Sequence, residues 1–291
     1  MVSYNTKEWF SFIFRFHRAD TFRKLLPLMF AIAGYAGVIA FLEIEYWKLS
    51  DTTHIKNVST MHNMLGVVLS LLLVFRTNTA YERWWEGRKL WGELVNNSRN
   101  LAFKLSTILP AGKDRLFFQK AIPVFAETLK LHLHHDPPEL GPLREIGVEA
   151  KHGSHLPNLV VKAIKGKVNA LYKQRKIKGE HLIILDNELE SFGNICGACE
   201  RIKNTPIPYS YSAFIKKFVF FYTMTMPFGH AFTLGYYMIP IVIFVFYALA
   251  SLEIIAEEIE DPFGKDPNDL PLMRISSTIA HNIDEIFDDQ R

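Results

Sequence analysis

The sequence predicts an all-α, polytopic membrane protein with four transmembrane helices and a large helical cytosolic part. Two observations predict it. Residues 25–42, 57–75 and 218–252 form runs of 18, 19 and 35 residues without a single Asp, Glu, Lys or Arg. A helix rises about 1.5 Å per residue, so a run of this length matches a bilayer core of about 30 Å. Elsewhere the apolar residues recur at helical spacing, and strand-type alternation is nearly absent. The 13% aromatic content with 16 Gly and 14 Pro excludes a disordered or collagen-like chain. A net charge of +3 without a basic stripe is too weak to imply nucleic acid, and none is expected as a partner.

Residues 1–24 hold Lys7, Arg15, Arg18, Arg23 and Lys24 among aromatics, without a cleavable apolar core. The piece 8–22 reads either as a helix lying along the inner leaflet or as one packed on the cytosolic part. The first two uncharged runs are one span each, near 25–44 and 57–75, so the second segment is 25–75. The third run is long enough for two spans, near 212–230 and 236–254, giving a membrane segment 212–254. Pro227, Gly229 and His230, then Gly235 and Pro240, are expected to break it. Basic residues before span one, after span two (Arg76, Arg83, Arg88, Lys89) and before span three (Arg201, Lys203, Lys216, Lys217) place both termini and 76–211 on the cytosolic side of a cell membrane.

The segment 76–211 reads as a helical domain. Leu90, Trp91, Leu94, Leu101 and Leu105 keep a helical spacing, as do Leu182, Leu185, Leu189, Phe192 and Ile195. Breaks are expected at Pro110-Ala111-Gly112, at Asp136-Pro137-Pro138 through Pro142, and from Gly153 to Pro157. The final segment, 255–291, continues the last helix to Glu260 and turns at Asp261-Pro262-Phe263-Gly264. Its last twenty residues are polar and expected to be loosely held.

Span two carries the most chemistry. Val67, Leu71 and Phe75 stand at i, i+4 and i+8 and line one helical face, while Ser59, Asn63, Gly66 and Ser70 lie near another. Such a row ordinarily faces lipid or a core. Four helices are too few to enclose a wide pore, so if span two lines a conduit, several copies must surround an axis. Rings of Val, Leu and Phe would then gate by dewetting. The next stretch, with Trp84, Trp85 and Trp91 among Arg83, Glu86, Arg88 and Lys89, suits the inner membrane interface.

Three motifs then resemble one family. Arg76, Asn78, Ala80-Tyr81, Arg83-Trp84-Trp85-Glu86, Arg88 and Leu90-Trp91-Gly92 form the first. Cys199-Glu200-Arg201-Ile202-Lys203-Asn204-Thr205-Pro206-Ile207-Pro208 form the second. Glu260-Asp261-Pro262-Phe263-Gly264-Lys265-Asp266-Pro267-Asn268-Asp269-Leu270-Pro271-Leu272 form the third. In this order and spacing, over roughly residues 5–275, the chain resembles the bestrophin family in its bacterial form. The resemblance implies a homopentameric ion channel with one axial pore, self-association, membrane lipid and permeant ions as partners, and no enzymatic activity. It implies an apolar neck, which falls on Val67, Leu71 and Phe75. Val74 departs from the family, which often has Gly before the Phe.

The resemblance also implies an apolar constriction at the cytosolic exit, falling near Glu180, with Leu182 and Ile183 beside it. If Glu180 faced the axis, five carboxylates would favour cations. The other reading is a solvated glutamate, with Leu182 or Ile183 narrowing the pore. Chloride or another anion is the expected permeant ion by resemblance, with a sodium- or potassium-selective channel as the alternative. The Pro206 and Pro208 motif forces a turn and a new helix start, whose free N–H groups would attract anions if aimed at a cavity; entry into span three without any ligand role is the equal alternative.

The third motif resembles the calcium clasp of eukaryotic members through Asp261, Asp266 and Asp269. Calcium takes 6–8 oxygens, and Lys265 and Pro267 replace acidic residues in the densest stretch, so no tight calcium site and no other cofactor is expected. His132, His134 and His135 with Asp136 read as a surface cluster rather than a catalytic zinc, and Cys196 and Cys199 as core thiols. His62 reads either as a titratable group in an outer vestibule or as an interhelical hydrogen bonder. A membrane metalloenzyme and a non-conducting scaffold are the remaining alternatives.

Overall fold

The computed structural model describes residues 21–46, 55–151 and 153–288. Most of the expected N-terminal interfacial helix lies outside them. The described residues contain nine α-helices: α1 (Thr21–Phe41), α2 (Ile55–Ile108), α3 (Lys113–His134), α4 (Leu140–Glu145), α5 (Leu156–Lys173), α6 (Gly179–Asn204), α7 (Tyr209–Leu234), α8 (Met238–Glu260) and α9 (Leu272–Phe287). A π-helical turn, Leu42–Tyr46, ends α1, and a 3₁₀ turn, Gly235–Tyr237, separates α7 from α8. Two compact units emerge, one from the described residues of 21–83 and 207–260, the other from those of 84–206 and 261–288.

The first unit holds α1, the first half of α2, α7 and α8. Its core joins Leu25, Ile32, Ala36 and Ala40 of α1 to Leu69 and Leu73 of α2, Ile215, Val219 and Met226 of α7, and Val242 and Phe246 of α8. The small residues Ala36 and Ala40, both fully buried, let helices approach closely. Polar contacts reinforce the packing of α1 on α8: Thr21 Oγ1 donates to Ser251 Oγ at 2.8 Å, and Lys24 Nζ pairs with Glu258 at 2.5 Å. Among the described residues, three helical stretches are long and apolar enough to cross a membrane: Thr21–Tyr46, Ser59–Ile108 and Gly235–Glu260.

Several expected boundaries move. α2 does not stop with the apolar run at Phe75 but continues to Ile108, through the Arg83-Trp84-Trp85 stretch. Pro227 sits inside α7, and the turn between α7 and α8 falls at Gly235, whose φ of 55° suits a residue without Cβ.

The second unit is built around α3, against which α5, α6 and α9 pack. Its core draws Trp91, Leu94, Leu101 and Leu105 from α2, Phe118, Ile122, Phe125 and Leu129 from α3, Val160, Ile164 and Val168 from α5, and Leu185, Leu189, Phe192 and Ile195 from α6. Phe125 and Phe192 stack with centroids 4.8 Å apart. The expected break at Pro110–Gly112 separates α2 from α3, and that at Asp136-Pro137-Pro138 separates α3 from α4, whereas Pro142, expected in the break, lies within α4. The expectation of a loose C-terminus is overturned. α9 is a helix whose Leu272, Ile279, Ile283 and Phe287 are buried in this core. Those residues stand at helical spacing on one face, and burial of that stripe orders the segment.

Candidate functional site

The α2 helix divides sharply into two faces over residues 61–80. His62, Leu69, Leu73, Arg76 and Ala80 are buried within their own unit. The opposite face presents Met64, Val67, Val68, Leu71, Val74 and Phe75, all large, apolar and exposed. Val67, Leu71 and Phe75 are 71%, 55% and 55% exposed, respectively. An exposed apolar stripe of this extent is unusual on a monomeric surface and marks an interaction or membrane-facing region. The geometry therefore keeps the three neck candidates on one row, free of contacts with their own core. Among the polar residues of the same stretch, Asn63 is exposed and Ser70 Oγ donates back to the Gly66 carbonyl at 2.8 Å.

Behind the row the helix is held by charge. Arg76 Nη2 donates to Glu260 Oε2 at 2.7 Å, and Arg76 Nε lies 3.5 Å from Glu253 Oε2. The guanidinium is 1% exposed and the Glu253 carboxylate 5%. Glu260 also accepts the Ile207 N–H at 2.6 Å through Oε1, and its carbonyl accepts from Arg83 Nε at 3.0 Å. One carboxylate thus binds Arg76 and the N–H preceding α7. The Ile207 N–H lies between Pro206 and the N-cap Pro208, ahead of the first turn of α7, and an internal carboxylate takes it up. Composition could not reveal this, because Arg76 reads there as one more snorkelling cation.

The tryptophans also divide. Trp91 is fully buried, and Trp84 donates its indole N–H to the Asn268 carbonyl at 3.1 Å. Of Trp84, Trp85 and Trp91, it is Trp85, 48% exposed, that remains accessible in the manner expected of an interfacial anchor. His62 is buried against Tyr222, the rings stacked at 4.0 Å, with the His230 ring 5.8 Å away edge-on.

At the start of α6, Glu180 is exposed in the first turn. Leu182 packs against the core of its unit, whereas Ile183 is 67% exposed. Leu182 and Ile183 line an open groove of about 820 Å³ together with Asn158, Val161 and Lys165.

In the acidic turn after α8 one carboxylate closes on the turn's own backbone and another pairs with a lysine. Asp269, 3% exposed, accepts the Asp266 N–H at 2.6 Å through Oδ2, while its own N–H donates to the Asp266 carbonyl at 3.1 Å. Asp261 pairs with Lys203 at 2.6 Å, and Lys265 with Asp136 at 2.6 Å. A Cβ on Gly264 would stand 2.5 Å from Asp269 Oδ2, so glycine is what permits this closure.

The histidine cluster does not form as a unit. His135 caps α3 in the left-handed conformation, with φ 55°. His134 faces Asp136 at 3.5 Å. Burial pushes the His134 imidazole below its ordinary value, against the opposing pull of Asp136. His132 turns elsewhere, to Glu200 of α6 at 2.7 Å, where His155 also arrives at 2.5 Å. Cys196 and Cys199 are buried, and burial pushes the Cys196 thiol up to about 12 and Cys199 further in the same direction. Neither is a ready thiolate nucleophile.

Residues 1–285 match the family model described as bacterial/fungal bestrophin protein. The voltage-dependent anion channel-forming protein YneE of Escherichia coli K12 is 30% identical, over 99% of this chain and 95% of that protein. A voltage-dependent anion channel-forming protein of Nostoc sp. is 38% identical, over 76% of this chain and 75% of its own. Among solved structures, a variant of the bacterial bestrophin homolog from Klebsiella pneumoniae superposes with a TM-score of 0.79 at 26% identity, covering 90% of this chain and 98% of that one.

Proposed function

This chain belongs to the bacterial/fungal bestrophin family, and we propose from that premise that it forms a homopentameric anion channel in the cell membrane. In this reading α1, the apolar half of α2, α7 and α8 are the four membrane helices, and both termini lie in the cytosol. Five copies of α2 meet around a shared axis, and Val67, Leu71 and Phe75 form successive apolar rings. The observation that carries the proposal is the exposure of those three residues on one row, set against a buried face fixed by Leu69, Leu73 and Arg76. A symmetric assembly gives that row an occupant: the same row of the other subunits around a narrow lumen.

An apolar ring offers an ion no ligands, so its barrier comes from the cost of wetting a narrow greasy passage. That barrier has no strong preference of sign. Anion selectivity is proposed because relatives at 30% and 38% identity are named anion channel-forming proteins. For the cytosolic constriction, exposure favours Ile183 over Leu182, whose side chain is committed to the core. The chemistry needs no catalytic residue, in keeping with a channel family.

Purified protein in a planar bilayer under a potassium chloride gradient tests this reading. The expected result is discrete current with a reversal potential near the chloride equilibrium value. Absence of current would remove the channel, and reversal near the potassium value would replace it with a cation channel of the same architecture.

A further inference from the structure

Within the cytosolic unit, three potential ligands from three helices converge. His132 stands in the last turn of α3, His155 is the N-cap residue of α5, and Glu200 lies in α6. Both imidazole Nε2 atoms approach the same carboxylate oxygen, at 2.7 and 2.5 Å, and the three ligand atoms lie within 4.8 Å of one another. The rings are tilted, with centroids 4.5 Å apart. We propose that His132, His155 and Glu200 form a divalent transition-metal site, of the kind that binds zinc, which ties α3, α5 and α6 together.

The donor set selects the class of ion. Two imidazoles and one carboxylate suit zinc and its neighbours, whereas calcium and magnesium require mostly oxygen ligands. The geometry is within reach. Zinc–nitrogen bonds of about 2.0–2.1 Å in a tetrahedral site put ligand atoms about 3.3 Å apart, so each of the two N···O contacts needs to lengthen by less than about 1 Å. The three side chains are 34%, 32% and 27% exposed. That leaves an approach for the ion and room for water in the remaining position.

One contact changes on binding. His155 Nδ1 accepts the Asn158 N–H at 3.2 Å, which places the imidazole proton on Nε2. A metal at Nε2 moves that proton to Nδ1 and gives up this long cap contact. The sequence reading grouped His132 with its chain neighbours His134 and His135; its partners lie 23 and 68 positions further along the chain.

Zinc titration of the full-length, detergent-solubilised protein, stripped by chelator, decides the matter, read by calorimetry and by thermal unfolding. The expected result is one zinc ion per subunit and a raised unfolding temperature. Affinity should weaken by at least about tenfold in His132→Ala, Glu200→Gln and His155→Asn, and be unchanged in His135→Ala. His155→Asn keeps an N-cap acceptor, so its folding is preserved while a ligand is lost. No binding at micromolar zinc, or equal affinity in all variants, would overturn the site. Neither readout depends on ion conduction.

Discussion

Arg76 and Glu260 close an ion pair of 2.7 Å in which the guanidinium is 1% exposed. Arg76 directly follows Phe75, so the last residue of the proposed neck and the first residue of this clamp are chain neighbours on α2, about 100° apart around the helix, the one exposed and the other buried. The contact links α2 to the end of α8, and through Glu260 Oε1 to the entry of α7. The rotational setting of the apolar row is thereby fixed from behind.

Breaking that clamp on one side should be costly. Arg76→Ala leaves the Glu253 and Glu260 carboxylates without their cation, and removal of one partner from a buried pair costs about 3–5 kcal/mol. Thermal unfolding in detergent should show a large fall. Glu260→Gln should fall less than Glu260→Ala, because the amide oxygen still accepts the Ile207 N–H.

The neck itself answers to size. Leu71→Ala and Phe75→Ala should each raise single-channel conductance, because a wider ring lowers the dewetting barrier. Unchanged conductance in both, beside robust wild-type current, would remove the neck assignment.

At the cytosolic end, Ile183→Ala should raise conductance while Glu180→Gln leaves the reversal potential in place. A shift of the reversal potential towards anions in Glu180→Gln would instead put five carboxylates on the axis.

Gly87 tests the turn after α8. A Cβ there would meet Phe263 Cζ at 3.0 Å and Pro262 Cγ at 3.1 Å, and Phe263 is fully buried. Gly87→Ala should destabilise by about 1–3 kcal/mol through overpacking. Combination with Phe263→Leu should recover part of the loss, read as a coupling energy in a double-mutant cycle.

Acid sensitivity should trace to Asp114. Hydrogen bonds from Lys167, at 2.6 Å, and from Lys176 hold its carboxyl below the ordinary 3.8. A lowered folded-state value means the stabilisation is full above 3.8 and lost as pH falls through the lower, folded-state value. Asp114→Asn should therefore lower the unfolding temperature at neutral pH, with the difference from wild type shrinking at the acid end.

What the sequence discloses follows from range. Uncharged runs are local, so α1, the start of α2 and the apolar stretch of α7 and α8 are legible from composition, and Val67, Leu71 and Phe75 share a face by helical geometry alone. The extension of α2 to Ile108 is not legible as a boundary. Its charged middle reads as a membrane interface, while Trp91 and Leu94 beyond it are committed to a different core. In 272–287 the apolar Leu272, Ile275, Ile279, Ile283 and Phe287 are spread among Arg, Ser, Thr, Asn and acidic residues, so the segment reads as a polar tail unless its helical spacing is followed. Arg76 with Glu260, and His132 with His155 and Glu200, are pairings across the fold, which no window along the chain reveals.

The central claim is that one exposed row of α2 becomes the wall of a pore only when copies assemble. An electron-microscopy reconstruction of the detergent-solubilised assembly tests it most directly. The account predicts five-fold symmetry with Val67, Leu71 and Phe75 facing a continuous central passage. An assembly in which these side chains face the detergent belt, with no passage on the axis, would contradict it.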